Sequence, residues 1–132
     1  MEKIYNLTNH IPTEEQKQDG IVELPPTIKA EIRELINFEE LPSKEELQER
    51  AQKITRILLA HNIKKVLIGG AVFFMPILVW ELNANGITPY ASFSKRDVEE
   101  YKENDTVIKK VKFKHIGLIE LKYPIKWSYS WI

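Results

Sequence analysis

Two hydroxyls and two cations fall within five residues at Ser92-Phe93-Ser94-Lys95-Arg96. They follow a short apolar run, Ile87 to Ala91, that reads as a strand, so they leave its carboxyl end. Arginine forks onto phosphate oxygens, lysine supplies a compact charge, and serine donates to phosphate or ribose. Together they suit a phosphate diester. A second reading is open: Ser94 caps a helix, and Lys95 and Arg96 pair with Asp97, Glu99 or Glu100.

Two further segments carry compatible groups at strand ends. Leu7-Thr8-Asn9-His10 follows a first strand, Ile4 to Leu7. A histidine there can act as general acid or base or orient a ribose hydroxyl, or it can cap and pack ahead of Pro12. Gly69-Gly70-Ala71-Val72 follows the apolar strand Lys64 to Ile68. Glycines let backbone N–H groups approach an anion, and a helix starting behind them adds positive potential. The turn matches neither GxGxxG nor the Walker pattern, and tight packing alone would also explain it.

His115 sits in Phe113-Lys114-His115-Ile116, where strand alternation decides whether it meets core or solvent. His61 falls at a helix end and reads as structural. The chain has no cysteine, which removes disulfides, thiol catalysis and the common zinc sites. Its acids have no metal-ligand spacing, and there is no G-x-S-x-G elbow. Neither a metal-dependent nuclease nor a Ser-His-Asp hydrolase is expected, and no cofactor is implied.

The elements that must position these residues alternate. Pro12-Thr13-Glu14-Glu15-Gln16 opens a short helix with capping-box spacing, Gly20 ends it, and Ile21 to Leu24 is a second strand. Ile28, Ile32, Leu35 and Ile36 recur at helical spacing after Pro25-Pro26. Ser43 and Glu46 start another helix with the apolar stripe Leu47, Ala51, Ile54, Ile57 and Leu58. An apolar helix from Ala71 or Met75 to Asn83 holds Pro76 in its first turn and stops at Asn85-Gly86. The next strand is Ile87 to Phe93, and Thr106 to Lys122 supplies one or two more. The expected fold is α/β, a single-domain Rossmann-like open sheet with a mainly parallel core and helices on both faces. Tyr123 to Ile132 is an aromatic extension, read as an extra strand or a subunit contact.

At 132 residues the chain is one domain by length. Nineteen cations balance nineteen acids, which argues against a general coat for long nucleic acids but not against a small anion held locally. Acids crowd the first half, and Lys109, Lys110, Lys112 and Lys114 make the late segment basic. The start has no signal-peptide pattern, and the apolar run Ala71 to Trp80 is too short to span a bilayer. A soluble cytoplasmic protein is expected.

Thr8-Asn9-His10-Ile11-Pro12-Thr13-Glu14-Glu15-Gln16 resembles the S/N-H-x-L-T-x-E-Q signature of a small CRISPR-associated accessory family of type III systems. Thr88-Pro89-Tyr90-Ala91-Ser92-Phe93-Ser94-Lys95-Arg96 resembles its PVYATTKR segment, and Phe113-Lys114-His115 its FKH. The likeness covers most of residues 1–121. It departs at Gly69-Gly70-Ala71-Val72-Phe73-Phe74, where the pattern has Q-G-D/E-F-G-A, and at Gly117-Leu118-Ile119, where it has an arginine.

The resemblance implies a CARF-like domain acting on a cyclic oligoadenylate, cyclic tetra-adenylate first, as a homodimer matching the ring's two-fold symmetry. It implies metal-free cleavage by the ring's own 2′-OH, switching off type III CRISPR signalling. His10, Lys95 and Arg96 become catalytic candidates. Thr8, Asn9, Gly69, Gly70, Ala71, Tyr90, Ser92, Ser94 and His115 become ligand contacts. Two alternatives stand beside it: a sponge that holds the ring uncut, and a structural partner of a CRISPR effector docking through the aromatic tail.

Overall fold

Strong local signals fix the ends of the helices. In the computed structural model, which describes residues 2–123, Thr13 and Gln16 close a complete capping box over helix α1 (Glu14–Gln18). Gly20 then turns the chain at φ 96° into strand β2 (Ile21–Glu23), which lies beside β1 (Ile4–Asn6). Helix α2 (Pro26–Ile36) begins with proline in its first turn. Helix α3 (Lys44–Ala60) begins under the Ser43 hydroxyl, which accepts from the Glu46 amide. The Arg50 guanidinium reaches back from α3 to the carbonyls of Glu34, Leu35 and Asn37, satisfying the end of α2, and lies over the Phe38 ring. Strand β3 (Lys65–Leu67) and helix α4 (Met75–Ala84) follow, and Gly86 at φ 75° releases the chain into β4 (Thr88–Glu103). Strand β5 (Thr106–Glu120) completes the order.

The sheet is mixed, in the order β2-β1-β3-β4-β5. β1 pairs in parallel with β2 and β3, and β3 with β4, each over two or three residues. β4 and β5 are antiparallel from Tyr90↔Glu120 out to Glu103↔Thr106, with one irregularity between Phe93 and Ser94. The fold is α/β, as expected, but the parallel part is short and the long ladder is antiparallel.

Two expectations are corrected here. The strand beginning at Ile87 does not stop at Phe93, because β5 supplies ladder partners through Glu103. The helix-cap alternative at Ser94 fails for the same reason. Beyond the body the two strands form a ribbon whose ten residues per strand extend roughly 30 Å. Asn104 and Asp105 close it with φ of 50° and 61°, the paired left-handed residues of a tight hairpin turn.

The two faces of the sheet are unequal. Leu7, Val66, Ile68 and Ile87 join Ile28, Ile32, Ala51, Ile54, Leu58, Phe74, Leu78 and Leu82 in the main core beneath α2, α3 and α4. The opposite face holds a small cluster of Ile4, Ile21 and Leu67 with Tyr90 and Leu118, next to α1. No helix among the described residues is long and apolar enough to cross a membrane. Tyr123 hydrogen-bonds through its hydroxyl to the Pro76 carbonyl; the rest of the expected tail contact lies outside the described residues.

Ile54 is fully buried in the main core. Ile54→Ala should cost about 2–5 kcal/mol of unfolding free energy in a denaturant titration, because the helices around it cannot close the void.

Candidate functional site

The parallel registers align three loops. Asn6 pairs with Leu67, and Leu67 with Tyr90, so β1 and β3 end at one level beside β4, and Thr8, Gly69 and Ser92 each follow two residues after those pairs. A Cβ built on Gly69 would meet the Thr8 methyl at 3.4 Å, which confirms that the first two turns touch. Gly70, at φ 144°, has a backbone that other residues rarely adopt, and it turns the chain away. Side chains of Leu67 and Tyr90 face α1, so two-residue alternation along β4 carries Ser92 and Ser94 to that same side.

On the neighbouring strand, His115 pairs with Ser94 and is buried, its side chain only 2% exposed. Its Nδ1 lies 2.6 Å from Ser92 Oγ, and its Nε2 lies 2.7 Å from Asp19 Oδ2. Gln16 Nε2 donates to the same Ser92 oxygen at 3.3 Å. A carboxylate can only accept, so Nε2 carries a proton. In the neutral ring Nδ1 is then free to accept the Ser92 hydroxyl proton. This is a carboxylate–imidazole–hydroxyl chain, the arrangement that polarises a hydroxyl for proton transfer. The two ring nitrogens are exchanged relative to the serine-protease order. No Ser-His-Asp hydrolase was expected, since the elbow motif is absent; the three side chains nevertheless meet here.

Asn6 organises the first turn. Its side-chain oxygen accepts from the Thr8 amide at 2.9 Å and the Thr8 hydroxyl at 2.6 Å; its nitrogen donates to the His10 carbonyl at 2.7 Å and to Glu23 at 2.9 Å. The Thr8 hydroxyl is therefore engaged within the turn. Asn9 pairs with Asn37, and His10 is exposed at the rim. Lys29 hydrogen-bonds to Glu23 and holds that carboxyl below its ordinary pKa, with burial opposing and the Asn6 amide assisting.

The remaining expected residues divide. Lys95 and Arg96 are consecutive on a strand and point to opposite faces. Arg96 lies opposite Phe113, on the face of Ser92, Ser94 and His115, whereas Lys95 lies opposite Lys114 on the other. They do not converge on one phosphate. Tyr90 packs in the small cluster one row below, with Lys65 Nζ 5.9 Å from its ring centre. Ala71 begins a turn whose carbonyl accepts from Phe74 and Met75, so the helix starts at Met75 and its amino end does not abut Gly69-Gly70. A cleft of about 850 Å³ between α2 and the start of α3, lined by Lys29, Arg33, Glu46 and Arg50 among others, adjoins the first turn through Asn37, which pairs with Asn9, and Lys29, which pairs with Glu23.

Asn6, Gln16 and Asp19 were not assigned to the site from the sequence. Asn6 could have been found from Asn6-x-Thr8, the spacing of an Asx turn. Asp19 had no local signal.

A mixed sheet with three parallel pairings, its strand ends gathered on one edge, defines an α/β protein with polar groups along that edge. The chain belongs to the uncharacterized protein MJ1673 family, whose model matches residues 2–118. No curated protein and no solved structure matches it.

Asn6→Ala should cost about 1–3 kcal/mol, because the Thr8 amide and the His10 carbonyl lose their partner. Hydrogen exchange should show the turn opening before the main core. Glu23, with its pKa depressed, stabilises the fold above its unfolded-state pKa, and this contribution disappears as pH falls through the folded value. Glu23→Gln should therefore lower stability near neutrality and leave it unchanged in acid, by under about 1 kcal/mol because the pair is partly exposed.

Proposed function

We propose that this protein binds a cyclic oligoadenylate, cyclic tetra-adenylate first, along the Thr8–Gly69–Ser92 row and cleaves it without a metal. The supporting observation is the row itself, with His115 joined to it. Hydroxyl and glycine groups follow the strand ends, with an imidazole bonded to Ser92, where parallel α/β sheets receive phosphate and ribose. The order β2-β1-β3-β4 favours a Rossmann-like reading of the parallel part, with the reversal of direction between β1 and β3. Thr8 and Gly69 lie at that reversal.

In this proposal Arg96 and Ser94 neutralise and orient a phosphate from the ribbon base, and the Gly69-Gly70 turn leaves room for the backbone of the ligand. His10 is the acid or base at the rim. The ring's 2′-OH attacks in line, and the protein holds that geometry and stabilises charge on the phosphorane. A two-fold ring calls for two chains in a homodimer. The role is to end type III CRISPR signalling, in the cytoplasm. A sponge is the second reading. It is favoured by the Thr8 hydroxyl and both His115 nitrogens being already bonded within the chain.

Purified protein with labelled cyclic tetra-adenylate in EDTA decides between these. Linear product supports cleavage, a shifted but intact ring on a native gel supports the sponge, and no shift with any ring size overturns both. Arg96→Ala should weaken binding by about 1.5–3 kcal/mol, one charge-assisted contact, while Lys95→Ala stays close to the parent.

A further inference from the structure

We infer that Ser92, His115 and Asp19 form the proton-transfer relay of this site, a deepening that rests on the phosphodiester reading above. Three observations carry it. The Ser92–His115–Asp19 chain is continuous at 2.6 and 2.7 Å. The imidazole is almost wholly buried, whereas Asp19 is 43% exposed and Ser92 stands in the ligand row. The carboxylate on Nε2 fixes the tautomer that leaves Nδ1 as an acceptor toward Ser92.

The 2′ oxygen of the ring loses its proton to Ser92 Oγ as the Ser92 proton passes to His115 Nδ1. The 2′-O–P bond forms and the P–O5′ bond breaks. The departing 5′ oxygen takes a proton from His10, which lies two strands away on β1's loop. The imidazolium remaining on His115 is held by Asp19, and exchange with water restores both histidines. The products are a 2′,3′-cyclic phosphate and a free 5′-hydroxyl. Ser92 and His10 are the catalytic residues; His115 and Asp19 are positioning residues acting through Ser92.

The charged groups on the His115 face are Asp19 from α1 and Arg96 from β4, with Glu120 farther down and bridged to Lys122, and Glu100, Lys109 and Lys102 farther out along the ribbon, the first two paired with each other. Lys95, Lys112 and Lys114 lie on the opposite face of the ribbon.

The same contacts could merely staple α1 to the hairpin, and Asp19→Asn separates the two roles. Asparagine still accepts from Nε2–H, so folding and ring binding should persist. Cleavage should fall about 10²–10⁴-fold in Asp19→Asn and Ser92→Ala while ring binding persists, and Ser92→Thr should restore much of it. Cleavage within about threefold of the parent in both variants overturns the relay while leaving the ring-binding reading intact. A parent that binds the ring and never cuts it also overturns it. If no ring binds, nitrogen-15 NMR of the histidines still decides. An Nε2–H tautomer at His115 that responds to Ser92→Ala supports the relay, and an Nδ1–H tautomer overturns it.

Discussion

A histidine sealed at the base of a two-stranded ribbon must find a partner for each ring nitrogen, because an unpaired polar group out of water is costly. His115 finds Ser92 on its own hairpin and Asp19 on α1. That one requirement ties the first thirty residues to the last strand. α1 has only five residues, none of them buried, so it brings almost no apolar surface of its own. Its place on the sheet rests on the capping box beneath it and on Gln16 and Asp19 above the hairpin base.

The inequality of the two faces follows from the same economy. Three helices cover one side with a continuous apolar core, and this supplies the bulk of the burial. The other side has a thin cluster and one short helix. Thin cover leaves the upper row of that face within reach of a ligand, while the heavy side keeps the strands rigid beneath it. A site built on strand registers holds its side chains more precisely than one built on loops. Here the Asn6 amide extends that precision to the first loop by binding its backbone at Thr8 and His10.

The ribbon shows how charge can hide a strand. Its outer segment alternates correctly: Val98, Val107, Val111 and Phe113 share one face, and Asp97–Lys112 and Glu99–Lys110 stand opposite one another on the other. Read along the chain alone, Lys95-Arg96-Asp97-Val98-Glu99-Glu100 looks like a solvated helix start. The partners that make it a strand come from the basic segment beyond the turn, so the information is in the pairing of two stretches. The helix ends were different. Thr13 with Gln16, Ser43 before α3, Pro76 at the start of α4 and Gly86 after it act within a few residues, and all were legible.

The candidate site divides along the same line between local and distant information. Ser92, Thr8 and Gly69 were identifiable because a strand end followed by glycine or hydroxyls is a local pattern. The alignment of the strand ends they follow was not, since it depends on parallel registers that no single segment encodes. Lys95 and Arg96 were paired by adjacency, and strand geometry separates them, because neighbours in a strand face opposite ways. Asp19 is 96 positions from His115 and reads as an ordinary helix-end acid ahead of Gly20. Only a fold that lays α1 across the hairpin base converts that acid into the partner of an imidazole. A buried histidine in a strand therefore constrains more of this molecule than any motif does. It cannot be left unsatisfied, and each group that satisfies it must be carried there by a separate element.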